Sequence, residues 1–309
     1  MIALSLRSLR RPLAACGLLL GATLVHAQAQ VQALNGPLTL VVGYAAGGST
    51  DRAARVVAER LTVKLGVAVT VDNRAGDGGR LAAQQVSHTP PNQNVLMLAN
   101  PAVMVVAPIV FKGAGYDPDK DFVPVSQVTT YDFAVAVGPA VPLDRLMFLV
   151  SWLWAHPQEA KFGVPATGSL PHFFGLMVGD ALSIKPQISG YKGSAPLQAD
   201  LVAGKVRILA VSGTRRAGFA KDIPTFRESG LQIDAAGWNA FFAPSSMPPA
   251  RVQLLAQAIH DVMQEPGVQQ AFNALYLVPV ASTQADTAKM IKTFREQWEP
   301  VVRRSGFAP

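Results

Sequence analysis

The chain has 309 residues, 50% of them hydrophobic and 15% charged, with a formal net charge of +7. That balance excludes a disordered chain and leaves room for one large domain or two of moderate size. The lone cysteine, Cys16, excludes a disulfide framework, and no run of Lys and Arg interleaved with aromatics points to nucleic acid.

Residues 1–27 read as a secretory signal peptide. Arg7, Arg10 and Arg11 precede an apolar stretch from Pro12 to Val25, and Val25-His26-Ala27 offers a small-residue cleavage site. The stretch is 14 residues long, too short to span a bilayer. Lipoprotein anchoring at Cys16 is not expected, because the apolar core continues well past it. Cleavage after Ala27 would leave 282 residues without cysteine, and losing three arginines and no acid lowers the charge to +4. Phe133 to Val150 is broken by Pro139, Pro142, Asp144 and Arg145, so no membrane span is expected there.

Leu38 to Val42 reads as a buried strand. A loop follows from Tyr44 through Ala45, Ala46, Gly47, Gly48, Ser49 and Thr50 to Asp51. Then comes a helical pattern with Ala54, Val57, Ala58 and Leu61 on one face. The Ser-Thr-Asp cluster can cap that helix. A strand, a glycine loop and a helix start form a generic anion-holding geometry, because first-turn N–H groups have no internal partner and the helix dipole favours negative charge.

A strand over Ala68–Asp72 leads into the glycine-rich turn Asn73 to Gly79 and a helix over Leu81–Val86. Val95–Leu98 is another buried strand, ending near Asn100. This short-range alternation predicts a parallel α/β sheet. Tyr116 to Val125 reads as a linker, Phe133–Val137 as a strand, Leu143–His156 as a helix and Lys161–Val164 as a strand. The loop Pro165 to His172 repeats the first design, with Ser169 placed to cap and Pro171 tolerated in the first turn. Val206–Val211 is a strand, Pro249–Met263 a helix, and Thr283–Arg304 a final helix with Ala288, Ile291, Phe294 and Trp298 on one face.

Several segments occur in a telling order: Gly47-Gly48-Ser49-Thr50-Asp51; Val71 to Gly79; Tyr116-Asp117-Pro118 with Asp121 to Val125; Gly168-Ser169 and Pro171-His172; Tyr191 to Pro196; Asp222 to Phe226 with Glu228 and Gly230; and Trp238 to Pro244. In this order they resemble the Bug-type extracytoplasmic solute-binding proteins of tripartite tricarboxylate transporters, over essentially the whole mature chain. The resemblance implies an α/β, two-lobed periplasmic-binding-protein-like fold of type II-like form. Each lobe would be a mostly parallel sheet flanked by helices, with a ligand cleft between the lobes.

Lobe 1 would comprise residues 28–125 plus 216–309, and lobe 2 residues 126–215. The ligand would be a small carboxylate, held by backbone N–H groups and water at the two helix-start loops. Carried over residue by residue, the site comprises Tyr44, Ala45, Ala46, Gly47, Gly48, Ser49, Thr50 and Asp51; Ala166, Thr167, Gly168, Ser169, Pro171 and His172; and the walls Asn100, Gly193 and Ser194. The partners would be the membrane permease subunits, and the protein would be a periplasmic monomer. The alternatives are a receptor for a sensor kinase, or a degenerate family member with weakened binding.

The chain departs from the family pattern after the Tyr191-Lys192-Gly193 helix. A further strand and helix are absent, and Ala203-Gly204-Lys205-Val206 runs straight into Arg207–Val211. Lobe 2 should therefore be one strand narrower, with normally covered surface exposed. Ala46 stands where proline is common, and Val164-Pro165-Ala166 where a Gly/Ser-rich run is common.

No enzyme is expected. His172 has no recognisable nucleophile or orienting acid, no Gly-x-Ser-x-Gly elbow or Walker loop is present, and Leu81 occupies the third position of a dinucleotide fingerprint. His88, His156 and His260 lack metal-ligand spacing, so no metal and no cofactor are expected. Phe173, Phe174 and Trp238 read as core rather than as a ligand platform.

Overall fold

The computed structural model describes residues 34–165, 167–191, 197 and 207–307. Six strands form the main sheet: β1 (Leu38–Val42), β2 (Val69–Asn73), β3 (Val95–Ala99), β4 (Phe122–Asp132), β9 (Ala236–Pro244) and β10 (Val278–Pro279), in the order β10-β4-β9-β3-β1-β2. The strands β2, β1 and β3 are parallel, as their alternation with helices requires. The strands β9, β4 and β10 join antiparallel, so the parallel part is half of this sheet.

Helices cover both faces of this sheet, which is why β1 and β3 read as continuous apolar runs. Leu38, Leu40 and Val42 of β1 point to one face with Leu96, Leu98 and Phe241. There they meet Ala54, Val57 and Leu61 of α1 (Ser49–Leu65), Leu255 and Ile259 of α7 (Pro249–Gln264), and Phe272 of α8 (Pro266–Ala274). Val41, Met97, Ala99 and Phe242 point to the other face. They meet α2 (Arg80–Ser87), a π-helical turn (Ala102–Val106) running into α3 (Ala107–Val110), and α9 (Gln284–Arg304).

The stretch expected to be a linker holds the short helix α4 (Pro118–Asp121) and the start of β4. β4 pairs with β9 all the way from Phe122 to Asp132, with register shifts at Pro124/Ser126 and Gln127/Thr129. Proline and bulges inside a strand hide its alternation from sequence reading. The expected lobe boundary at 125/126 falls inside this strand; the chain leaves the main sheet at Asp132–Phe133.

Beyond that crossing come β5 (Ala134–Val137), α5 (Leu146–Ala155), β6 (Lys161–Val164), α6 (Leu170–Leu182), β7 (Gln187–Gly190) and β8 (Arg207–Val211). Among the described residues the strands here form two separate ladders, antiparallel β5-β8 and parallel β6-β7. Ile208 of β8 and Phe148 and Trp154 of α5 are largely exposed.

Ser212 ties the outgoing and returning crossings together. It is fully buried; its Oγ accepts the Phe133 N–H at 2.8 Å and donates to the Ala235 carbonyl at 2.5 Å. Its N–H also donates to the Phe133 carbonyl at 2.9 Å. A file of rings runs alongside: Trp238, Phe294, Trp298, Phe133 and Phe174 follow one another at centroid spacings of 5.8, 5.6, 5.9 and 4.9 Å. These rings, with Phe173, are buried core. Among the described residues no helix is long and apolar enough to cross a membrane.

Candidate functional site

The first loop joins β1 to α1. Gly48 is the N-cap residue, with no side chain to cap, while Ser49, Thr50 and Asp51 occupy the first three helical positions. Of the Ser-Thr-Asp cluster expected to cap this helix, no member sits at the cap position. Instead the loop is held by Asp51 reaching back: its Oδ2 accepts the Gly47 N–H at 2.7 Å and Arg55 Nε–H at 3.0 Å, and its Oδ1 accepts Asn73 Nδ2–H at 3.0 Å. Gly47 sits at φ +82°, a conformation open to glycine.

The Asp51 side chain is only 2% exposed, so its oxygens serve the loop. Burial alone would push its carboxyl up; the hydrogen bonds from Arg55, Gly47 and Asn73 outweigh that and hold it below the usual carboxylate range. Ala45, Ala46, Gly47, Gly48 and Ser49 are exposed, so this helix start faces solvent with its backbone.

Asn73 and Asn100 complete this cluster. Asn73 Nδ2 also donates to the Tyr44 carbonyl at 3.0 Å. Asn100 Nδ2 donates to the Tyr44 hydroxyl at 2.9 Å, while Asn100 Oδ1 accepts the Ala102 N–H at the start of the π turn. Burial pushes the Tyr44 hydroxyl up to about 12 against the Asn100 hydrogen bond, so it stays protonated.

The second loop joins β6 to α6 and repeats the device. Gly168 sits at φ +76°, Ser169 is the N-cap residue, and Leu170, Pro171 and His172 are the first three helical positions. The Gly168 N–H donates to His172 Nδ1 at 2.8 Å, the same four-residue reach as from Gly47 to Asp51. Burial lowers the tendency of His172 to take a proton. Thr167 packs against Gly190 at the end of β7, where any side chain would meet the Thr167 backbone N at 2.7 Å.

The structure thus gathers Tyr44, Asp51 and Asn100 into one bonded cluster, and Thr167, Gly168 and His172 into another. Ala166, Gly193 and Ser194 lie outside the described residues. Two clefts, of about 420 and 360 Å³, lie elsewhere. The larger is lined by Met104, Phe111, Tyr116 and Arg295, the smaller by Trp238, Lys289 and Phe294, and neither includes a residue of the two loops. His88 Nδ1 and His156 Nδ1 each contact a carbonyl of their own helical turn. Among the described residues no three His, Cys, Asp or Glu side chains come together as metal ligands.

Sequence reasoning missed Asn73 and Phe307 as parts of these clusters. Asn73 stood inside a recognised motif. Phe307 carried no signal, because its contact with Gly168 and His172 joins the start of α6 to a residue beyond the chain's last helix.

The profile described as "Tripartite tricarboxylate transporter family receptor" matches residues 53–307. The chain belongs to that family. A UPF0065 protein of Bordetella bronchiseptica is 30% identical, over 98% of this chain and 95% of that protein. BugT of Bordetella pertussis is 31% identical, over 87% and 89%. Among solved structures, Rpa4515 of R. palustris with adipate is 26% identical, covering 89% of this chain and 99% of that one, with a TM-score of 0.80. MatC (Rpa3494) from Rhodopseudomonas palustris with bound malate is 25% identical, covering 87% and 99%, with a TM-score of 0.75.

The protein is therefore a Bug-type solute-binding receptor with the two-lobed α/β fold of periplasmic binding proteins, and it is not an enzyme.

Proposed function

We propose that this receptor captures a small carboxylate in a cleft between its lobes and delivers it to the membrane permease subunits of a tripartite transporter. In this reading residues 1–27 direct export and are removed, and the mature protein works in the periplasm as a monomer. Lobe 1 carries the main sheet, and lobe 2 is the shortened span between the crossings at Phe133 and Ala235 rather than the expected 126–215.

The observation that carries the reading is the repeated loop. Gly47 with Asp51 and Gly168 with His172 fix two helix starts in one geometry. First-turn N–H groups lack an intrahelical partner, Pro171 contributing none in the second helix, and the helix dipole there favours negative charge. Two relatives of the same fold have adipate and malate bound.

The test is a thermal-shift titration of the full mature chain with C4 to C6 dicarboxylates and with tricarboxylates. A ligand present at a hundred times its Kd should stabilise the folded state by about 2.7 kcal/mol, a shift of several degrees. A folded sample that shifts with none of them overturns the reading.

A further inference from the structure

The described chain ends by folding back onto the second loop. After α9 stops at Arg304, Gly306 takes φ +64° and Ser305 Oγ accepts the Phe307 N–H at 3.1 Å. This turn lays the Phe307 ring on Gly168, where a Cβ would lie 2.8 Å from the ring. The same ring meets His172 edge-on, with centroids 5.4 Å apart and planes at 89°.

His172 is thereby held by two rings. It stacks on Phe173 at 5.1 Å and 15°, and Phe307 abuts Phe173 as well, at 5.9 Å and 85°. The Gly168 N–H takes the Nδ1 lone pair. In the neutral imidazole one nitrogen donates and the other accepts, so Nε2 carries the proton. At this helix start the side chain is therefore a hydrogen-bond donor, of the same polarity as the backbone N–H groups beside it.

Burial lowers the basicity of the ring, in the same direction as the Gly168 hydrogen bond to an unprotonated Nδ1. On α9, Arg303 pairs with Glu299 at 2.6 Å along the helix surface, and Arg304 is exposed.

We propose that Phe307 is a positioning residue of the carboxylate site, holding the His172 ring so that its Nε2–H donates to the ligand carboxylate. The inference rests on the second loop being a ligand loop. It makes the turn after α9 part of the site, and it adds a side-chain donor to a recognition scheme otherwise built from backbone. Loss of one hydrogen bond to a charged acceptor corresponds to about a tenfold change in Kd or more.

The experiment is calorimetric titration of the full mature chain with malate and adipate, in wild type and in Phe307→Ala, Phe307→Leu and Phe307→Tyr. It is joined to ¹⁵N NMR of the His172 ring in each protein. Phe307→Ala should weaken binding about tenfold and should shift the His172 tautomer signature and titration toward those of free histidine. Phe307→Tyr, which keeps the ring edge, should restore both. Phe307→Leu keeps apolar volume without a ring edge, so it should bind as weakly as Phe307→Ala and serves if that variant does not fold. Wild-type affinity and an unchanged ¹⁵N signature in Phe307→Ala or Phe307→Leu overturn this assignment alone. A wild-type protein that binds no carboxylate overturns the ligand reading, and the assignment with it.

Discussion

The Gly168 N–H donates to His172 Nδ1 at 2.8 Å, and that bond requires an unprotonated nitrogen. Protonating His172 would put two N–H groups face to face and loosen the start of α6. Burial already depresses the folded-state value below the usual 6.5. For a base held neutral in the native state, the unfolded chain binds more protons, so stability rises with pH. The contribution is fully present above 6.5 and is lost as pH falls through the lowered folded value. Urea unfolding from pH 8 down to pH 5 should show this loss, and His172→Ala should flatten that part of the profile. A wild-type profile unchanged across the window would refute the coupling.

Asp51 plays the same part in the first loop, as a carboxylate where His172 is a neutral ring. Its carboxylate is depressed below 3.8, so its contribution is present above that value and is lost as pH falls through the lower folded one. Asp51→Ala should cost about 2 kcal/mol, because it leaves Asn73 and the Gly47 N–H without their acceptor. Arg55→Ala should cost less, because that side chain is half exposed and its charge is screened by water. Denaturant midpoints of the two variants at pH 7 give the comparison, and equal losses would contradict the assignment of Asp51 as the organising group.

The sequence showed the two loops but not their equivalence. An aspartate and a histidine share no chemistry by type; they become equivalent only when each occupies the third helical position and accepts a glycine N–H four residues back. The strands β1 and β3 were legible because helices cover both of their faces, so their apolar runs are unbroken. β4 was not, because Pro124 and the polar Ser126, Gln127, Thr129 and Thr130 break the pattern at two bulges. The Ser-Thr-Asp cluster was legible as a helix-start group, but not its division of labour: glycine takes the cap position and only the acid bonds back to the loop. Phe307 joins the second loop by a long-range ring contact, which no local pattern encodes.

Ser212 is where the two crossings are joined, and its hydroxyl serves two backbone groups at once. Ser212→Ala should leave the buried Phe133 N–H and Ala235 carbonyl each without a partner, at a cost of about 2 kcal/mol. The loss should be local first: hydrogen exchange at the Phe133 amide should accelerate more than exchange in β1 or β3. Uniform acceleration through the main sheet would mean that Ser212 supports the whole fold rather than the crossing.

Asp132 stands at the same crossing with a different fate. Its carboxyl packs against Gly213, where a side chain would meet it at once, and burial raises its pKa above the usual carboxylate value. An acid raised in the native state binds more protons folded than unfolded, so its effect favours the fold below 3.8 and opposes it as pH rises through the folded value. At neutral pH the ionised group is therefore a destabilising feature of the crossing. Asp132→Asn keeps the size and removes the charge, so it should raise the melting temperature at pH 7. Near pH 3, where the carboxyl is already neutral, it should change little. A variant that melts lower than wild type at pH 7 would show instead that the charge is held by partners and supports the crossing.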